Sequence, residues 1–283
     1  MEIKLKKLLP IPIILFLFSV SVLFVNYFRT GDFILRDVDL KGGTLVTIES
    51  SVPIDAKNLE KILEQKYGSV FLSSLRTTTG YGVSVEVSEN VDATDVINDI
   101  QASGVSVVSH TVETIGPQLG NLFLIQIRNI LIIAFVLMSV VIFIVYRNFI
   151  SSIGIVFASL ANIITTLAIT SLLGIKISFA GFAGLLMLIA YTVDTNIVLT
   201  SKILGMGTED FRSRYKKALT TGATLIATIT ITMFLILLLS SSKLLVNIGE
   251  ILVVGFLSDL PYTWIFNASL LEMWFGRRQK LIS

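Results

Sequence analysis

The sequence predicts a helical membrane protein with six transmembrane helices and one extracytoplasmic α+β domain of ferredoxin-like type inserted between helices 1 and 2. Three observations carry this. Of 283 residues, 53% are hydrophobic and only 15% charged, with mean hydropathy +0.83; an ordinary soluble domain is about 45–50% apolar and about 25% charged. Six apolar stretches lie at 8–28, 124–146, 150–173, 177–203, 219–240 and 246–270, each near the ~20 residues that cross a bilayer core as a helix. Between the first two runs a polar segment, 29–120, of quite different composition.

The same figures exclude function classes. A soluble single-domain enzyme does not have so little charge. The net charge of +2 comes from scattered basic residues and gives no nucleic-acid footprint. With no cysteine and one histidine there is no disulfide framework, thiolate site, cysteine nucleophile or His-rich metal site. No Walker-type glycine loop is present. No chemical active site, cofactor or metal is expected.

The chain divides into helix 1 (1–28), the α+β domain (29–120), a five-helix membrane domain (121–275) and a basic tail (276–283). The first stretch reads as an uncleaved anchor rather than a signal peptide. Its apolar core exceeds about 7–15 residues, and it ends in Asn26-Tyr27-Phe28-Arg29 without a small-residue cleavage site. Placing both termini in the cytoplasm puts twelve basic residues inside: Lys4, Lys6, Lys7, Arg147, Lys202, Arg212, Arg214, Lys216, Lys217, Arg277, Arg278 and Lys280. The two short outer loops then hold only Lys176 and Lys243. This is the expected sense of the positive-inside rule.

Within 29–120, residues 43–51 alternate as a strand. Asp55 opens a helix with Leu59, Ile62 and Leu63 inward, ended by Gly68. Residues 70–78 and 81–88 form a hairpin turning near Thr79-Gly80. Asp92 caps a helix to about Ser103 with Val96, Ile97 and Ile100 inward, and 105–114 is the last strand. Strand, helix, strand, strand, helix, strand is the split β-α-β order. Nothing in it looks catalytic. His110 reads as structural, and Asp37, Asp39, Glu86 and Glu89 read as solvated. An exposed sheet edge could accept a peptide strand.

The membrane segments hold the informative residues. Asp194 lies within the fourth span, where a helix-centre aspartate costs about 2.5–3.5 kcal/mol on insertion scales. It is expected to face the bundle interior or water. Tyr191 and Ser201 share its face and Asn196 is close by on another; Ala180, Gly181, Ala183 and Gly184 allow close helix approach. In the sixth span Asp259, Thr263 and Asn267 form a polar stripe, and Pro261 predicts a kink. Thr221, Thr224, Thr228 and Thr232 form a stripe on the fifth span, read either as back-bonded packing threonines or as support for the acids. Asn162 and Thr166 read as packing polar groups. The two acids are candidate ion-coupling groups; the plain alternative is a polar lock on helix packing. No basic residue lies mid-span: Arg128 is near the outer end of the second span and Lys202 near the inner end of the fourth. An unpartnered acid is protonated, hydrated or paired with another subunit.

Four motifs follow in order. They are Asp39-Leu-Lys-Gly-Gly-Thr with Gly42 and Gly43, Ile115-Gly-Pro-Gln-Leu-Gly with Gly116 and Pro117, Tyr146-Arg-Asn, and the run from Ala183 to Asp194. Together they resemble the SecF family of the Sec protein-export machinery along nearly the whole chain. Asp194 followed by Thr195 and Asn196 also resembles the sister subunit SecD, and the Asp259-to-Asn267 stretch resembles archaeal rather than bacterial members. The resemblance implies an RND-like membrane half pairing with SecD. It further implies an accessory role at the SecYE channel, late in translocation of the emerging polypeptide and driven by the ion gradient. It carries the ion-coupling role to Asp194 and Asp259. Competing readings are a half-subunit of an RND-type small-molecule or lipid exporter, and a scaffold with inert acids.

Overall fold

A computed structural model describes residues 5–68, 70–77, 80–88, 90–205, 210–240 and 242–282. Lys4, Glu89, the hairpin turn at Thr79 and the side chains of Arg277, Arg278 and Lys280 lie outside the described residues.

Among the described residues, six helices are long and apolar enough to cross a membrane; the protein is a multi-pass membrane protein. They are α1 (Pro10–Thr30), α5 (Pro117–Tyr146), α6 (Phe149–Leu172), α7 (Phe179–Leu204), α8 (Phe211–Leu239) and a composite last span. That span is α9 (Lys243–Pro261), a π-helical turn (Tyr262–Asn267) and α10 (Ala268–Ile282). Pro261 predicts a kink, and the chain answers with the wider turn. Pro261 has no N–H to give, the next N–H, of Tyr262, turns to the Asp259 carbonyl, and the backbone winds in π form through Asn267.

Burial is lopsided. Over the apolar 18-residue stretch of each helix, half or more of the residues of α6, α7 and the last span are enclosed, against 6% in α5 and 11% in α8. The bundle core consists of Phe182, Leu185, Leu188, Leu199, Ile251, Leu252 and Phe256, with Trp264 and Leu271 below.

The α+β domain has β1 (Gly43–Ser50), α3 (Ala56–Tyr67), β2 (Phe71–Thr77), β3 (Gly80–Val87), α4 (Ala93–Ala102) and β4 (Ser109–Ile115), preceded by the short helix α2 (Val38–Lys41). The sheet is antiparallel in the order β2-β3-β1-β4. Asp55 and Asp92 cap α3 and α4 by accepting the Asn58 and Thr94 N–H groups. Val46, Ile48, Val83, Val85, Leu59, Leu63, Val96 and Ile100 form a core separate from that of the bundle. Ile62 departs from expectation: it is exposed, because only Leu59 and Leu63, four apart, fall on the buried stripe. β4 is an edge strand, starting later than predicted, and exposed from Ser109 to Thr114. His110 lies on it, exposed.

The domain is tied to one end of the bundle, hereafter the outer end. Arg36 bridges to Ile177 in the α6–α7 loop, with Asp37 N–H donating to Ile177 O at 3.0 Å and Ile177 N–H to Leu35 O at 2.8 Å. The two glycine motifs meet beside it. Gly42 has φ +83°, and a Cβ there would sit 2.6 Å from Pro117 Cα at the start of α5. Asp37 and Glu86 overturn the solvated reading: they are 4% and 6% exposed. They lie under the outer loops, which sequence separation hid.

Candidate functional site

The buried polar residues of the bundle gather on α6, α7 and the last span. α7 packs inward through Gly181, Gly184, Leu185, Leu188, Thr192, Thr195, Asn196 and Leu199, all buried. These fall three or four apart, one face of a helix. Asn148 starts α6 by accepting the Ile150 and Ser151 N–H groups, while Tyr146 donates to the Ile197 carbonyl at 3.2 Å. The Tyr146-Arg-Asn motif is thus a corner that fixes α5 and α6 against α7.

Asp259 is 2% exposed and stands midway along the span Lys243–Phe275. Thr195 Oγ1 donates to its Oδ2 at 3.0 Å, and Thr263 Oγ1 lies 3.0 and 2.9 Å from its two oxygens. The chain of contacts runs on. Asn196 Nδ2 donates to Thr263 Oγ1 at 2.8 Å, and Asn267 Nδ2 to Asn196 Oδ1 at 2.7 Å. Asn162 Nδ2 donates to Thr192 Oγ1 at 2.8 Å. Asn267 approaches α6 at Gly154, where a Cβ would lie 2.6 Å from Asn267 Oδ1. A second junction joins α1, α6 and the π turn: Ser19 donates to Thr165 at 3.1 Å, and Thr165 meets the Tyr262 hydroxyl at 2.5 Å.

This arrangement suits one exchangeable proton. Hydroxyls both donate and accept, so Thr195 and Thr263 can serve the carboxyl in either protonation state. None of the ion pairs among the described residues includes Asp259. Asn162 Oδ1 and Asn267 Oδ1 are buried acceptors without a donor. Among the described residues, no group of three or more His, Cys, Asp and Glu could hold a metal.

The predicted residues separate into two sets. Asp259, Asn196, Thr263 and Asn267 come together. Asp194 does not join them: it is exposed, so of the two positions expected for it, bundle interior or water, it does not take the interior of this chain's bundle. The reason is angular. Thr192 and Asn196 each lie two residues from Asp194, about 200° around the helix, so burying them turns Asp194 outward. It shares its exposed face with Ala183, Met187 and Ala190. Tyr191 is half-buried, edge-on to Phe256 with ring centres 5.4 Å apart. Thr224 and Thr228 are exposed and donate to their own helix, to Thr220 O at 2.9 Å and Thr224 O at 2.8 Å, and so take no part in the network. Thr192 and Thr195 are the members sequence reasoning missed. The signal was the polar run Thr192, Thr195, Asn196, Thr200 on the face opposite Asp194.

The family described as "Protein export membrane protein SecD/SecF, C-terminal" matches residues 95–277, from within α4 into α10. The chain belongs to the SecD/SecF family. Curated relatives agree with this SecD/SecF assignment. A protein-export membrane protein SecF of Pyrococcus furiosus is 30% identical over 275 residues, covering 97% of this chain and 92% of that one. The SecF of Methanocaldococcus jannaschii is 31% identical over 246 residues, covering 84% and 86%. The fold is similar to the crystal structure of SecDF, a translocon-associated membrane protein from Thermus thermophilus, with a TM-score of 0.76 at 15% identity. The match covers 96% of this chain and 38% of the solved one. A second SecDF structure, in super-membrane-facing form, aligns with a TM-score of 0.57. The membrane half of this SecD/SecF family member is therefore RND-like in fold.

Proposed function

We propose that this chain is an accessory subunit of protein export that acts with SecD at the SecYE channel and uses the transmembrane ion gradient to promote late translocation. The observation that carries the reading is the placement of Asp194: a mid-span acid on an outward helix face beside Ala183, Met187 and Ala190. A single chain in lipid gives such a group no partner, and small residues flanking it suit a second helix packed close. SecD supplies that helix. Asp259, enclosed among hydroxyls, is the second coupling group. The chain adds no chemical step of its own.

In this reading the termini are cytoplasmic, in keeping with the basic residues at the inner end, and the α+β domain is extracytoplasmic. Its order β2-β3-β1-β4 with α3 and α4 as crossovers supports a ferredoxin-like domain. The emerging polypeptide passes near it, and the bare faces of α1, α5 and α8 meet lipid.

Co-purification in mild detergent tests the reading directly, followed by export assays on Asp194→Asn. SecD and channel subunits are expected in the eluate, and export is expected to slow with assembly intact. Recovery without SecD, or unchanged export and ion dependence in the variant, would defeat it.

A further inference from the structure

The two helices that meet at Asp259 each have a lysine at or just before the outer end. Lys176 lies in the loop just before α7, and Lys243 opens α9. Both turn to one carboxylate on the sheet. Lys176 Nζ is 2.5 Å from Glu86 Oε2, and Lys243 Nζ is 3.7 Å from Glu86 Oε1 and 3.1 Å from Asp37 Oδ2. Phe71 is the cross-strand neighbour of Glu86, and Lys176 Nζ sits 3.5 Å above the centre of its ring. Val85 points into the domain core, so Glu86 projects from the opposite face of the sheet, toward the bundle.

The loops are braced around these contacts. Ser178 caps α7 and donates to Asn247 Oδ1 on α9 at 2.7 Å; Asn247 Nδ2 donates to the Lys176 carbonyl at 2.8 Å. Phe179 N–H donates to Asp39 Oδ2 at 3.3 Å. Burial pushes the Glu86 carboxyl above its ordinary range and the Lys176 ammonium below its own. A shielded pair of this kind adds little net stability but fixes geometry, and removing one member leaves the other stranded.

We propose that Glu86 is a positioning residue that couples the α+β domain to α7 and α9, so that a shift between these helices at Asp259 is carried to the sheet. The coupling rests on the ion-driven reading above for what moves the helices; the clasp itself does not.

The natural chain has no cysteine, so labels can be placed without background. Spin labels go at Asn58→Cys on α3 and Leu239→Cys on α8, in the full chain in lipid vesicles, and pulsed dipolar spectroscopy reads their separation. One narrow distance peak is expected. Glu86→Ala shifts it longer and broadens it, Lys176→Ala does the same, and the double variant goes no further than either. Asp259→Asn moves the peak when Glu86 is present and leaves it still in the Glu86→Ala background. An unchanged peak in both alanine variants overturns the clasp. An Asp259→Asn shift that is absent, or equal in the two backgrounds, overturns coupling through Glu86. Export insensitive to Asp259→Asn, with the domain still released by Glu86→Ala, sinks the ion-gradient reading and leaves the clasp standing.

Discussion

Thr195 on α7 donates to Asp259 on α9 across 3.0 Å at mid-height in the bundle, with both side chains buried. One hydrogen bond therefore reports the relative height of the two most enclosed spans. Its energy depends on what the carboxyl carries, which gives a change of charge a direct mechanical address.

Asp259→Asn keeps an acceptor for Thr195 and Thr263, whereas Asp259→Leu removes it. The Asn variant should melt within a degree or two of the parent and lose ion-dependent export. The Leu variant should lose about 1–3 kcal/mol from stranded polar groups. Thermal melts in detergent with parallel export assays separate the two. A destabilised Asn variant with normal export would contradict the assignment.

Asp194 predicts the opposite pattern. It faces outward, and its side chain makes no hydrogen bond or ion pair among the described residues. Asp194→Leu should leave the isolated chain as stable as the parent and still abolish export when SecD is present. A clear drop in melting temperature of the isolated chain would place Asp194 in a structural role.

Gly42→Ala should damage the join between α2 and α5. The residue has φ +83°, and the added carbon would lie 2.6 Å from Pro117 Cα. With ψ at 157° the backbone lies in a region that is essentially glycine-only and costs another residue about 1–3 kcal/mol, and the contact forces the backbones apart. Limited proteolysis near residues 31–42 should accelerate; unchanged cleavage would refute the close approach.

Leu63→Ala should unfold the α+β domain without loosening the bundle, because Leu63 belongs to a core that shares no residue with that of the helices. A loss of about 2–5 kcal/mol is expected. Hydrogen exchange should rise in β1, β3 and α4 while α6 and α7 stay protected. Uniform deprotection would mean one cooperative unit.

Docking of that domain should weaken in acid. Burial alone would raise Asp37, but Lys243 and hydrogen bonds from Glu86 and the Val38 N–H hold it below its ordinary 3.8. Its contribution is present above pH 3.8 and fades as pH falls through the lower folded value. The label separation should lengthen over that range, and Asp37→Asn should flatten the change; an acid limb unchanged in Asp37→Asn would rule out this assignment.

The six spans were legible because an apolar run of that length has one use, and the domain's strands and helices because Asp55, Asp92 and the alternating residues mark them. The site was half legible. Asp259, Thr263 and Asn267 share a stripe that any helix wheel reveals, but the same wheel cannot say which side of α7 is inward. The cost of Asp194 pointed to the bundle interior or to water, while the quieter face with Thr192 and Thr195 was the one enclosed. Lys176 and Lys243 stood out as the only basic residues of the outer loops. Their acids, Asp37 and Glu86, are far away in the chain, and only the fold brings them near. The π turn was invisible because a proline announces a missing donor, not the winding that accommodates it.

The uneven enclosure of the spans sets where mutational drift is free. On α5 and α8, greasy side chains are interchangeable so long as length is kept, and one Leu serves as well as one Ile or Val. On α6, α7 and α9, volume and hydroxyl placement are dictated by neighbours. Random substitution should thus find a tolerant rim and an intolerant spine, and a library aimed at new properties has its room along the first.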